Sequence, residues 1–134
     1  MEPVQLVRRQ SQGHKRKGVG SQFGYDGAYT GELYAFVNAA VAVDTAVVAA
    51  STGSKIRVLS YGVSCVAAGA GTVVFNTKPA GAGTAISQTI ALPANGNVAE
   101  SDNNGLFETA VSNGLSVTVT GNIVGVRVTY ILVD

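Results

Sequence analysis

The feature that most constrains this chain is the way turn signals cut it into short β-rich runs. Residues 46–51, 55–68, 72–78, 85–92, 98–101, 106–110, 115–120 and 123–133 are rich in Val, Ile, Thr and Ala, and each run before the last gives way to a turn signal containing Gly or Pro. Asn95-Gly96, Asn104-Gly105 and Asn113-Gly114 tolerate positive φ in tight turns, so mostly hairpin-like connections are expected. Eight such runs without a helical apolar period predict an all-β fold, an eight-stranded antiparallel jelly roll or β-sandwich. A parallel α/β sheet is excluded, because its crossovers need helices.

Alternation within the runs assigns faces. Leu115, Val117 and Val119 share one side of their run, while Ser116, Thr118 and Thr120 share the other and are expected to face water or a partner. Val124, Val126, Val128, Tyr130 and Leu132 form one face, with Arg127 and Thr129 opposite. The run 55–68 changes phase: Ile56 and Val58 are even, then Leu59, Tyr61, Val63 and Cys65 are odd. That shift predicts a bulge or bend near Ser60, in a strand long enough to cross between two sheets.

Residues 1–31 read differently. Gly13, Gly18, Gly20, Gly24, Gly27 and Gly31 interrupt every candidate element, so this part is expected to be an extended arm and 32–134 the folded domain. The 134 residues leave room for one such domain. Residues 1–17 of the arm hold Arg8, Arg9, Lys15, Arg16 and Lys17 against Glu2; residues 18–134 have four cations against seven carboxylates. Any phosphate contact would therefore fall to the arm, and nucleic acid is not the expected partner. Five of the nine aromatics, Phe23, Tyr25, Tyr29, Tyr34 and Phe36, lie between 23 and 36, more than a solvated tail needs. Only 13% of the chain is charged, against about 25% in ordinary soluble domains, which suits a surface that packs on other proteins.

Chemistry is sparse. The stretch "GVGSQFG" (18–24) has Phe23 where a dinucleotide loop needs its third glycine, and neither flanking element is predicted. His14, the single histidine, sits among arm cations where a general base could not be held in geometry. Cys65, the single cysteine, forms no intrachain disulfide and is in register with Tyr61 and Val63, as a packed thiol would be. Glu100 and Asp102 in "ESDNNG" have the composition of a cation loop but equally of an ordinary turn. No catalytic residue, metal or cofactor is expected. The longest apolar run, 35–50, is short for a membrane span and carries Asp44, so no membrane segment is expected either.

The body resembles the small jelly-roll head-decoration (cement) proteins of tailed bacteriophages over about 90 of its 134 residues. The resemblance rests on "GSKIRVLSY" opening a long strand, "GTVVFNT" after a glycine turn, "LPANGN" followed by "GLFETAVSNGLSVTVTG", and a terminal strand ending in "TYILV". It implies a non-enzymatic virion protein that binds the outer capsid lattice, commonly as a homotrimer, with the major capsid protein as its partner. In that picture Arg8, Arg9, Lys15, Arg16, Lys17, Phe23, Tyr25, Tyr29, Tyr34 and Phe36 form the arm that contacts the capsid or a neighbouring subunit. A carbohydrate-binding or fibre-like jelly-roll module on a virion surface is the alternative; the absence of Trp and the few aromatics in the turns weigh against it.

Overall fold

The computed structural model describes residues 31–134, which are all β apart from turns and loops. Ten strands form: β1 (Leu33–Ala39), β2 (Asp44–Val48), β3 (Lys55–Cys65), β4 (Gly71–Lys78), β5 (Thr84–Ala85), β6 (Ile90–Leu92), β7 (Asn97–Ser101), β8 (Phe107–Glu108), β9 (Gly114–Thr120) and β10 (Val124–Val133). They make two antiparallel sheets of five strands each. One has the order β1-β10-β3-β7, with β8 also on β3; the other has the order β2-β9-β4-β5, with β6 also on β4. The result is a β-sandwich. Among the described residues no helix is long and apolar enough to cross a membrane.

The inward residues of both sheets fill the space between them, those that alternation predicts being joined by Val73 and Phe75. Ile56, Val58, Tyr61, Val63, Val124, Val126 and Val128 come from the first sheet, and Val73, Phe75, Leu115, Val117 and Val119 from the second. Each such side chain contributes roughly 1.5–3 kcal/mol by leaving water. Phe75, fully buried, lies with its ring centroid 5.2 Å from that of Tyr61 and 5.0 Å from that of Phe107, so three aromatics join the layers.

Four expectations need correction. First, the described residues hold ten strands, not eight: β1 lies outside the predicted runs, and the run 85–92 is split. The split has a local cause, since Ser87 Oγ accepts the Phe75 N–H at 2.9 Å where a continuous strand would offer a carbonyl. Second, β3 does not cross between sheets. Its phase change is a bulge: Thr129 pairs with Ser60 and Tyr130 with Val58, so Leu59 is the extra residue and the inward set resumes at Tyr61.

Third, the three Asn-Gly turns do not close hairpins. Those at 95–96 and 113–114 lie on passages from one sheet to the other; the one at 104–105 lies where the chain leaves β3 after β7 and returns to it as β8. Gly105 has φ of 104° and Asn95 57°, so two of the dipeptides do supply a left-handed residue, while at the third it is Ser112, at 64°, that takes this conformation. A tight reversal fixes the change of direction, but the apolar faces of the flanking strands decide which sheet receives the next one. Fourth, Ser116 does not face water. It lies away from the core yet is fully buried, because the chain after β4 folds back over it.

Candidate interaction surface

The two sheets treat their outer faces in opposite ways. On the β2-β9-β4 sheet, Asp44, Asn76, Lys78, Ser116 and Thr118 gather beneath the 79–83 loop. Asp44 pairs with Lys78 Nζ at 3.1 Å, and accepts from Asn76 Nδ2 at 3.2 Å and from the Gly83 N–H at 3.2 Å. Asn76 Nδ2 also donates to Thr118 Oγ1 at 3.0 Å, and Lys78 Nζ to the Gly81 carbonyl at 2.7 Å. Gly83 is required here: a Cβ would come 2.9 Å from Asn76 Cβ and 3.0 Å from Asp44 Oδ2. Burial alone would raise the Asp44 carboxyl, but Ser116, Lys78 and Asn76 around it hold it below the usual carboxylate range. Ser116 Oγ lies beside this group without completing a hydrogen bond of ordinary geometry. The cluster fastens the loop to the sheet.

Among the described residues, the β1-β10-β3-β7 sheet has no such cover. Its register lays the outward residues in three rows: Tyr34, Thr129, Ser60, Ser101; then Phe36, Arg127, Gly62, Ala99; then Asn38, Gly125, Ser64, Asn97. Large side chains stand on β1, and small ones make a low floor across β3 and β7. Tyr34 is 61% and Phe36 75% exposed, with ring centroids 6.2 Å apart. Ser60 and Thr129 hydroxyls bond each other across the first row. Two open hollows, of about 280 and 260 Å³, meet at Tyr34, Gly62 and Arg127.

Arg127 is central to this face. A Cβ at Gly62 would lie 2.6 Å from Arg127 Cζ and 2.8 and 2.9 Å from its two terminal nitrogens, so the guanidinium rests flat over the bare glycine. Its N–H edges therefore point along the face. The other described cations are paired: Lys55 and Arg57 with Glu108 at 3.2 and 3.0 Å, and Lys78 with Asp44. Burial would raise Glu108, but its two cations outweigh that and keep it low. Among the described residues, Arg127 is the one Lys or Arg without an ion pair or a side-chain hydrogen bond. Glu100, which lines the same hollow, accepts instead from Tyr61 Oη at 2.8 Å. Burial, this bond and the Glu100 charge push the Tyr61 phenol up to about 12.

Of the residues singled out from sequence, Tyr34 and Phe36 lie in β1, within the sheet and not on an arm ahead of it. Arg8, Arg9, Lys15, Arg16, Lys17, Phe23, Tyr25 and Tyr29, together with His14, lie outside the described residues. Cys65 is partly buried against the core, and Asp102 Oδ1 accepts the Asn104 N–H at 2.8 Å, which is turn chemistry. Among the described residues no group of three or more His, Cys, Asp or Glu is placed to hold a metal ion. Arg127 was passed over as a site residue. Its signal was its position, a lone charge in the outward phase of an otherwise apolar strand.

The fold and this face define an antiparallel two-sheet β-sandwich with one outer face closed by its own chain and one left open. Compared with protein-family models, curated proteins and solved structures, the chain matches none.

Proposed function

We propose that this protein is a non-enzymatic structural component of a virion, a jelly-roll module that binds the outer capsid lattice, contacts the major capsid protein and reinforces the head as a homotrimer. The strand order supports the jelly-roll reading. Taking β5 with β6 and β7 with β8 as two interrupted strands leaves eight, which alternate between the layers for most of the chain. The phage-decoration resemblance of the body supplies the lattice and the trimer.

The observation that carries a docking role is the open face, where two exposed aromatics stand beside an unpaired guanidinium. Tyr and Arg are the residues that most often dominate the energy of protein interfaces, and a monomer gains nothing by exposing them together. The arm adds Arg8, Arg9, Lys15, Arg16 and Lys17 for an acidic capsid surface and Phe23, Tyr25 and Tyr29 as further anchors.

Co-sedimentation of the full-length chain with capsids stripped of it tests this reading. Saturable pelleting in proportion to lattice sites is expected, with weaker binding when the five arm cations are replaced by Ser. A chain that stays in the supernatant at every concentration, and instead scores on a glycan array, would put the carbohydrate-binding alternative in its place.

A further inference from the structure

We infer that the open face of the β1-β10-β3-β7 sheet is a receptor for a carboxylate of the protein partner, gripped by Arg127 while Tyr34 and Phe36 cover the apolar surface beside it. This rests on the virion reading for the partner's identity, the capsid protein, but its chemistry is argued from the face itself.

The cation decides the class of occupant. In the described residues carboxylates outnumber cations, yet Arg127 engages none of them, while every other Lys and Arg is paired. An unpaired guanidinium laid flat over Gly62, with the small residues Ser64, Ala99 and Ser101 around it, presents two parallel donors in the plane of the face. That fork matches a carboxylate approaching along the sheet. A polyphosphate fits poorly, because a single cation on a net acidic body accounts for a salt slope of only about −0.9 and the remaining charge repels the chain. A small ligand also fits poorly. The hollows of about 280 and 260 Å³ are open and lie below the usual size of pockets that enclose small molecules, roughly 300–1,000 Å³. A protein surface can span both hollows and bury the exposed rings at once.

Gly62 then acquires a role in placing the guanidinium. A Cβ there meets only the far end of the Arg127 side chain, so Gly62→Ala costs the fold little and lifts the cation off the floor.

The test measures binding of full-length wild type, R127Q, R127K and G62A to stripped capsids, with melting curves to show that each variant is folded. Expected is a rise of about tenfold or more in the half-saturating concentration for R127Q, and partial recovery for R127K, which keeps the charge but not the fork. G62A is expected to lose several-fold. Wild-type affinity for folded R127Q overturns the inference while leaving the virion reading intact. Failure of the wild type itself to bind removes the virion reading and, with it, the capsid carboxylate. If R127Q instead abolishes retention on duplex DNA, or abolishes self-association in sedimentation equilibrium, the occupant is a phosphate or a second copy and the inference is wrong.

Discussion

The outer face over β2, β9 and β4 and the outer face over β1, β10, β3 and β7 are made from the same kind of strand, yet one is finished and the other is not. On the first, Asp44 collects Lys78, Asn76 and the Gly83 N–H, and the loop they hold buries Ser116. On the second, Arg127 meets no acid among the described residues and Phe36 is three-quarters bare. A network that pairs its charges internally serves the fold, whereas an exposed cation and two exposed rings that touch mainly each other add little to it. On the proposed reading, the difference assigns stability to one side of the sandwich and recognition to the other.

That division can be broken by mutation. Asp44→Ala should cost about 1–2 kcal/mol in urea unfolding, since Asn76 and the Gly83 N–H lose an acceptor while the partly exposed Lys78 pair is worth less. A cost near zero would mean that the clip only decorates the sheet. A second effect is expected at high pH. The raised Tyr61 phenol keeps its proton longer when folded, so its stabilising contribution is complete below the unfolded value near 10 and is lost as pH rises toward about 12. The melting temperature of the wild type should fall more steeply across that window than that of Tyr61→Phe. The smallest effect belongs to the open face: Arg127→Gln and Tyr34→Ser should each change stability by less than about 0.5 kcal/mol. A loss as large as that of Asp44→Ala would erase the contrast between the faces.

How far the fold was legible in the sequence depended on whether burial is one-sided. The inward residues of β9 and β10 are those the pattern marks, although Ser116 and Ile131 in the opposite phase are buried as well. β1 was missed because its pattern is inverted: Tyr34 and Phe36 face out while the smaller Ala35, Val37 and Ala39 face in, so both sides look apolar. The same inversion placed the two aromatics on an arm. Turn chemistry was legible as turns but not as connections, since Asn95-Gly96 serves a sheet-to-sheet passage as readily as a hairpin. The burial of Ser116 depends on a loop more than thirty residues earlier in the chain, which no local pattern carries. The open face needed the register, because only strand pairing sets Arg127 over Gly62 and beside Phe36.

The extra residue in β3 bears on what lengths this chain can have. Without Leu59 the inward residues from Ile56 to Cys65 would alternate evenly, so nothing in the pattern of the core asks for it. What it supplies is reach: its carbonyl accepts the Asp102 N–H at 2.8 Å at the point where the chain departs from β3, and the Leu106 N–H returns to the Val58 carbonyl at 2.8 Å. The insertion at 59 and the excursion at 102–105 are thus two ends of one accommodation. A homologue that sheds one of them should be found to have shortened the other.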